Sequence, residues 1–228
     1  INVRRAPLSS GRGWLPAATI QGEGVFLELD PGAIAEWGNR KAVVERAKTL
    51  SQGFQQWYER NAHTREDGKL KVPPFLGARF YLLHSLSHLL MSAISLECGY
   101  AASSIRERIY CGPYGDDTTE MSGILLYTGT PGSEGTLGGL VDQGRRLEHH
   151  VKFALEMASL CSNDPVCGSH TPKNDPSGRW LEGAACHGCL FVSEPSCERF
   201  NRYLDRALVV PVIGEDPDLA FFEAAGVF

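Results

Sequence analysis

The sequence predicts an α+β fold in which a central apolar helix lies beside a small sheet and a C-terminal segment rich in cysteine. The stretch from Phe75 to Cys98 repeats apolar residues at helical spacing on most of its faces, as expected of a helix buried at the centre of a fold. Two short runs of β-type residues follow it, and most of the 7 cysteines lie between Cys161 and Cys197. Helices combined with a small separate sheet indicate the α+β class.

The N-terminal part is predicted to be an arm followed by helices. Residues 1–24 are rich in Gly, Pro and Arg and are expected to form an extended arm or loop. Val25–Leu29 is a short strand candidate that ends at Asp30-Pro31-Gly32. A helix is expected to begin at Asp30 or Pro31 and to continue through Trp37, and residues 40–61 should form one or two more helices.

The polar stretch from Asn61 to Pro74 ends in two prolines and is the best candidate for a linker. We therefore predict two parts, with residues 1–74 as an N-terminal arm and helical lobe and residues 75–228 as a second domain. After the central helix, the predicted elements are strands at Ser104–Cys111 and Gly123–Thr128, a Gly-rich turn at 129–139, a helix from about Leu140 to Leu160 and a last amphipathic helix from Glu198 to Leu208.

The cysteines of the C-terminal part follow the pattern Cys161-x5-Cys167-x18-Cys186-x2-Cys189-x7-Cys197. Cysteines separated by two residues can direct both sulfurs at one ion while amides of the turn steady the thiolates, and a second pair completes a tetrahedral shell. A disulfide framework, a redox pair and unrelated core cysteines are the alternatives. The additional cysteines close to the CxxC favour zinc over these alternatives. The sequence therefore predicts a segment stapled by zinc, with candidate ligands Cys161, Cys167, Cys186, Cys189 and Cys197.

Composition narrows the class of protein. The chain has 228 residues, of which 43% are hydrophobic and 21% charged, as is ordinary for a soluble globular protein with a real core. The apolar stretch from Phe80 to Leu96 contains histidines and serines and is too short and polar to span a bilayer. Residues 1–15 lack the apolar core of a secretion signal, so we expect a cytoplasmic protein with reduced cysteines. Because the chain opens on Ile1 rather than Met, we take it to be a piece of a longer protein.

Any binding of nucleic acid must come from a local basic patch, because the formal net charge is −5 and the isoelectric point is about 5.8. Arg199, Arg202 and Arg206 recur at i, i+3 and i+7 of the predicted last helix and would form a basic stripe able to touch phosphates. A solvated helix face with local ion pairs is the alternative interpretation of the same stripe. The pattern leaves both open.

His84 and His88 lie at i and i+4 on one face of the central helix, a spacing that fits zinc. The frame resembles HExxH, but Ser85 occupies the place of the catalytic Glu, so no general base is present to activate water. We therefore reject a metalloprotease and interpret both histidines as polar groups hydrogen-bonded inside a helix bundle. A metal-dependent nuclease or hydrolase lobe that uses His84 and His88 with an acidic residue is kept as the alternative function.

Five segments of the chain resemble one known family. They are Leu82–Leu90, Cys98-Gly-Tyr-Ala, Ser133–Leu140, Gly183–Leu190 and Cys197–Arg206. Together they resemble the C-terminal domain of the DrmB family, the helicase-partner subunits of the DISARM anti-phage defence system, over essentially the whole chain. Residues 75–228 are also similar to the zinc-binding domain that follows the helicase core in MrfA-type DNA repair helicases.

The resemblance implies a non-catalytic scaffold that has a DrmA-like superfamily-2 helicase as its partner and engages DNA through the complex. It maps a shared four-cysteine core onto Cys161, Cys167, Cys186 and Cys189, with Cys197 as a fifth cysteine. The first pair here stands 18 residues from the CxxC, so which of Cys161, Cys167 and Cys197 is the odd one out stays open. Since the sequence has no phosphate loop, no metal-activating pair of carboxylates and no complete HxK motif, we predict no catalytic residues and no ATPase or nuclease activity.

Overall fold

The computed structural model describes residues 22–61, 73–101, 103–112, 121–129, 139–172 and 178–223. The predicted α+β class is confirmed, since these residues form α-helices and a small antiparallel sheet. The helices are α1 Pro31–Gly38, α2 Lys41–Asn61, α3 Gly77–Cys98, α4 Gly139–Gly144 and α5 Leu147–Ala158, and the strands are β1 Gly24–Glu28, β2 Ile105–Gly112 and β3 Met121–Thr128. Nearly all of the predicted arm, most of the predicted linker and nearly all of the predicted Gly-rich turn lie outside the described residues.

Helix α3 lies at the centre of the fold, as predicted. Every residue from Phe80 to Met91 is buried, and this unbroken run covers all sides of the helix. This all-round burial is possible because α3 packs against α2 and α5 and also against β2 and β3. The helix ends at Gly99, whose φ of 68° is the left-handed conformation that glycine adopts without steric cost.

The sheet has the strand order β1-β3-β2, with both pairs antiparallel. Side chains alternate between its two faces, so Ile105, Glu107 and Ile109 of β2 point the same way and are all buried. Two of these are apolar, as expected on the face that covers α3. Glu107 is a carboxylate in the same row, and this places a charged group inside the core.

Helices α1 and α2 cover another side of α3. Asp30 caps α1 by accepting a hydrogen bond from the Ala33 N–H at 2.8 Å. The Trp37 indole donates to the Leu219 carbonyl at 2.8 Å, which ties α1 to the C-terminal segment. Residues on both sides of position 74 contribute to one hydrophobic core, and the division of the chain at that position stays a prediction.

The C-terminal segment from Cys161 to Glu223 contains turns and short 3-10 helices in its described part, at Glu194–Ser196, Arg206–Leu208 and Pro217–Leu219. The predicted helix from Glu198 to Leu208 is therefore wrong. Phe200, Asn201 and Tyr203 have φ angles of 56°, 57° and 63°, and this left-handed backbone is incompatible with an α-helix. The predicted helix from Leu140 to Leu160 is interrupted by a turn at Arg145 and Arg146, which separates α4 from α5.

Asp205 anchors this irregular segment to the helices. Its carboxylate is fully buried and accepts hydrogen bonds from the Arg46 guanidinium of α2 at 2.8 and 3.3 Å. It also accepts from the backbone N–H groups of Ala184 and Ala207 at 3.0 and 3.1 Å. A buried carboxylate needs such a complete set of donors, because an unpaired buried charge is strongly destabilising. The side chain of Asp205 thus joins α2 to two separate loops.

The close approach of Asp205 to Gly183 yields a test of this packing. A Cβ atom at Gly183 would overlap the Asp205 carboxyl group, so Gly183→Ala should displace the buried ion pair. Overpacking of this kind costs about 1–3 kcal/mol, and each kcal/mol lowers the unfolding midpoint by about 2–4 °C in a chain of this size. Gly38→Ala is the matched control, because a Cβ there meets nothing within 4 Å. Equal unfolding midpoints for the two variants in thermal denaturation would contradict this packing.

Candidate metal centre

Four of the five candidate cysteines meet at one place in the fold. The Sγ atoms of Cys161, Cys167, Cys186 and Cys189 all lie within 4.8 Å of one another. The measured separations are 3.4 Å between Cys161 and Cys186, 3.7 Å between Cys167 and Cys189, and 3.7 Å between Cys186 and Cys189. These sulfurs are too far apart for disulfide bonds, whose S–S length is about 2.05 Å. Cys197 lies outside this group of four thiols.

The spacing of the four sulfurs fits a zinc ion. A Zn–S bond is about 2.3 Å long, so the edges of a tetrahedron of thiolates around zinc are about 3.8 Å. The observed separations of 3.4 to 3.7 Å are close to this value. Because all four positions of the tetrahedron are taken by protein sulfurs, the centre has the closed form of a structural site.

Backbone and side-chain N–H groups stabilise the thiolate form of a cluster sulfur, which is the form that binds a cation. The Gly188 N–H and the Asn163 side-chain amide both donate to Cys186 Sγ at 3.3 Å. Burial alone raises the pKa of Cys186, but these hydrogen bonds lower it to about 7. In contrast, the neighbouring Cys189 sulfur and burial raise the pKa of Cys167 well above its ordinary value. Neighbouring thiolates repel one another, so each makes the next harder to ionise. All four thiols therefore lose their protons only when a bound cation balances the negative charge of the thiolates.

Asp164 shapes the loop that carries Cys161 and Cys167. One carboxylate oxygen accepts from the Cys161 N–H at 2.9 Å, and the other accepts from the Gly168 N–H at 3.0 Å. The Arg206 guanidinium donates to Asp164 at 2.6 Å and to the Ala158 carbonyl at 2.8 Å. Asp164 and Arg206 therefore hold the loop in the shape that brings its two sulfurs to the centre.

Arg206 is placed differently from what the sequence predicted. Its side chain is fully buried and paired with Asp164, so it does not lie in an exposed basic row. Burial lowers the pKa of Arg206, but the bond to Asp164 and the attraction of Cys189 and Cys167 raise it overall. A tetrathiolate zinc centre carries net negative charge, and a buried guanidinium beside it offsets part of that charge.

Arg199 and Arg202 are exposed, in contrast to Arg206. The guanidinium of Arg202 lies over the Trp57 ring at 5.2 Å from its centroid, and that of Arg199 lies over the Phe80 ring at 5.5 Å. Stacking on an aromatic ring limits the motion of a guanidinium, and the Arg199 guanidinium also lies 3.6 Å from the Glu198 carboxylate. These two arginines are held at the surface by aromatic residues of α2 and α3 rather than by a helix of their own.

Cys197 joins a second group of side chains inside the fold. His84 and His88 of α3, Glu107 of β2 and Cys197 each offer one ligand atom, and these atoms lie within 4.8 Å of one another. Burial lowers the pKa of His84, but Glu107 and Cys197 together raise it to about 10. Burial raises the pKa of the Cys197 thiol, but hydrogen bonds and charge interactions with the two histidines lower this pKa to about 7. The histidines are thus buried and hydrogen-bonded, but their partners come from β2 and from loops rather than from a helix bundle.

Sequence reasoning missed Glu107 and Asp164. Glu107 carried a usable signal, because it lies between Ile105 and Ile109 at the strand period of two and so shares their inward face. Nothing in the sequence indicated that this face would meet His84 and His88. Asp164 carried a weaker signal, as a polar residue between two cysteines, and its pairing with Arg206 depends on contacts 42 residues apart.

Comparison with known proteins confirms the resemblance predicted from the sequence. Residues 86–190 match the family model described as the MrfA Zn-binding domain. The chain is 40% identical over 203 residues to the DISARM protein DrmB of Bacillus paralicheniformis, an alignment that covers 88% of this chain and 33% of that protein. The chain thus spans about a third of the length of this curated relative. The matched domain and the four clustered thiols together identify zinc as the cofactor, as predicted.

Replacement of one clustered cysteine should release zinc. We expect Cys186→Ser to lower the zinc bound to the chain by about one equivalent and to reduce its solubility, since a structural zinc contributes on the order of 10 kcal/mol to folding in small modules. Cys98→Ser is the matched control, because Cys98 belongs to neither cluster. Elemental analysis of reduced protein purified without chelators measures the difference. Equal zinc content in both variants would show that Cys186 is not a ligand.

The role of Arg206 can be separated from that of the exposed arginines. Arg206→Met keeps the length of the side chain but leaves the Asp164 carboxylate, 7% exposed, without its cation. Removal of one partner from a buried pair costs about 3–5 kcal/mol, so this variant should unfold at lower temperature and lose zinc faster to a chelator. Arg202→Met, at an exposed arginine, should match the unchanged protein in both measurements. An Arg206→Met variant with unchanged stability and zinc release would contradict a bracing role.

Proposed function

We propose that this chain is a non-catalytic, zinc-stabilised structural domain of a DISARM-type anti-phage defence subunit. The observation that carries the proposal is the cluster of four thiols, two of them in the CxxC at Cys186 and Cys189, inside the segment matched by the MrfA Zn-binding domain. The 40% identity to a DISARM protein DrmB supports the biological setting. We place the domain in the cytoplasm, where thiolates stay reduced and available to a metal. Within the described residues no helix is long and apolar enough to cross a membrane.

The proposed zinc ligands are Cys161, Cys167, Cys186 and Cys189. Zinc bound there would act as a crosslink between the loop that follows α5 and the CxxC loop, supplying folding free energy rather than a reactive water. The residues around it hold the thiolates: Asp164 and Arg206 fix one loop, while the Gly188 amide fixes the other. The geometry supports scaffolding because every ligand position is filled by a cysteine.

The proposed partners are a DrmA-like superfamily-2 helicase and, through the assembled complex, DNA. Arg199 and Arg202 are the candidates for phosphate contact, since both are exposed and both are stacked on aromatic rings. Guanidinium groups that are already ordered lose little conformational entropy when they meet phosphate. Because the net charge of the chain is −5, these contacts would supplement binding by the partner rather than provide strong binding alone.

The alternative function, a nuclease or hydrolase lobe at His84 and His88, is less well supported. Both histidines are 0% exposed, and a hydrolytic metal centre needs an open position that water and substrate can reach. Glu107 and Cys197 close the remaining sides of the pocket. Burial on this scale fits a stabilising role better than turnover.

The DNA-contact proposal is tested in the assembled complex. We expect the Arg199→Ala/Arg202→Ala double variant of the full-length subunit to assemble normally with a DrmA-like helicase from the same organism. Its affinity for duplex DNA should fall, and the slope of log affinity against log salt should decrease in magnitude by about 0.7 to 0.9 for each phosphate that the variant no longer binds. Fluorescence anisotropy at several salt concentrations measures both quantities.

The matched control for charge is Lys41→Ala/Arg145→Ala, which removes the same number of positive charges from side chains that are 88% and 81% exposed. This control should bind DNA with unchanged salt slope. If the arginine double variant binds like the control, the domain is a protein–protein adaptor without phosphate contacts. Failure of the unchanged subunit to assemble with any such helicase would overturn the proposed partnership itself.

A further inference from the structure

A second buried cluster lies between α3, β2 and the loop after the CxxC. Its members are His84, His88, Glu107 and Cys197, with exposures of 0%, 0%, 3% and 5%. We infer that these four side chains form a second zinc site with two imidazole nitrogens, one carboxylate oxygen and one thiolate sulfur as ligands. This site is separate from the four-thiolate centre and does not depend on any role in defence or DNA binding.

The distances between the four ligand atoms fit a single ion. The His84 Nε2 atom lies 3.1 Å from His88 Nε2, 2.8 Å from Glu107 Oε1 and 3.2 Å from Cys197 Sγ, and His88 Nε2 lies 3.3 Å from Glu107 Oε1. Zinc bonds of about 2.0–2.1 Å to nitrogen, 2.0–2.2 Å to oxygen and 2.3 Å to sulfur give tetrahedron edges of about 3.3 to 3.6 Å. A shift of a few tenths of an ångström would bring all the atoms into coordination.

The outer nitrogens of both histidines fix their rings. His84 Nδ1 is 3.2 Å from the Tyr203 carbonyl oxygen, and His88 Nδ1 is 2.8 Å from the Leu190 carbonyl oxygen. Since a carbonyl only accepts hydrogen bonds, each Nδ1 carries the proton and each Nε2 turns toward the centre of the cluster. A hydrogen bond from the outer nitrogen to a carbonyl is the arrangement that orients histidines bound to metal.

Cys197 shares a feature with the cysteines of the first centre. Its Sγ accepts from the Arg199 N–H at 3.3 Å and from the Asn201 N–H at 3.2 Å. At the first centre, Cys161 accepts from the Asn163 N–H at 3.4 Å and Cys186 from the Gly188 N–H at 3.3 Å. In all three cases the amide two residues after the cysteine points at the sulfur. The backbone after Cys197 therefore forms the same turn, with an amide directed at the sulfur, as the backbone after Cys161 and Cys186.

The charges of the four ligands also balance those of a divalent cation in a buried site. One carboxylate and one thiolate balance the two positive charges of zinc, so the filled site would be neutral. A neutral buried centre avoids the large cost of placing net charge in the core. The other oxygen of the carboxylate is satisfied as well, because Glu107 Oε2 accepts a hydrogen bond from the Ser87 hydroxyl, and the Glu198 N–H lies 3.4 Å from Oε1.

The second site is linked to the first through the backbone. His88 binds the carbonyl of Leu190, the residue directly after the Cys189 of the CxxC. With all four ligands supplied by the protein and none exposed beyond 5%, zinc at this site would be structural. It would fasten α3 and β2 to the segment that carries Cys197.

The wild-type protein provides the first test. Full-length chain is purified under reducing conditions without chelators, and its metals are counted by multi-element mass spectrometry. We expect about two zinc ions per chain, and zinc K-edge absorption should show nitrogen or oxygen neighbours at about 2.0–2.1 Å beside sulfur at about 2.3 Å. One zinc per chain with sulfur neighbours alone would overturn the inference and leave a network of hydrogen bonds sharing protons.

Two near-isosteric variants locate the second ion. Cys197→Ser and Glu107→Gln should each lower the zinc content from about two to about one equivalent while leaving the sulfur neighbours of the four-thiolate centre in place. Cys98→Ser and Glu198→Gln are the matched controls and should retain two. If either cluster variant keeps two zinc ions, its residue is not a ligand and the assignment is wrong. Should these variants fail to fold, the wild-type count and absorption spectrum decide the question alone.

Discussion

The convergence of four thiolates on one point is the constraint on which the C-terminal part of the fold depends. Cys161 and Cys167 lie in one loop and Cys186 and Cys189 in another, and the described residues of both loops have turns in place of helix or strand. Loops of this kind lack the repeating backbone hydrogen bonds that hold helices and sheets together. In the proposed centre, a zinc ion bound by all four sulfurs would replace those bonds with a crosslink of fixed geometry.

Three buried polar contacts connect this crosslinked segment to the rest of the molecule. Arg206 donates to the Ala158 carbonyl of α5 as well as to Asp164 in the first loop, and its neighbour Asp205 pairs with Arg46 of α2. Further along, the carbonyl after the CxxC meets a histidine of α3. Each contact joins charged or polar groups that are costly to bury unpaired. These contacts therefore fix the position of the segment on α2, α3 and α5.

The sequence predicted α1 to α3 and the three strands closely because their signals are local, whereas the helix predicted from Glu198 to Leu208 does not form. Apolar spacing located α3, and the spacing of the CxxC and its neighbouring cysteines indicated five candidate ligands, four of which cluster in the structure. Cys197 was a candidate zinc ligand of the same cluster because it lies near the other cysteines in the sequence. Proximity in the sequence cannot show that the Cys197 side chain contacts His84 instead. Arg206 was misplaced because a helical period was assumed where left-handed residues interrupt the backbone. Pairings between distant residues are decided by tertiary packing, and no local pattern encodes them.

The most direct measurement is anomalous diffraction at the zinc absorption edge from crystals of the reduced protein. Zinc held by the four clustered cysteines should give a strong peak about 2.3 Å from each Sγ. Such a peak would place the ion where both loops meet. Electron density for a disulfide within the cluster, or four thiols without an anomalous peak between them, would contradict the claim that zinc holds this segment together.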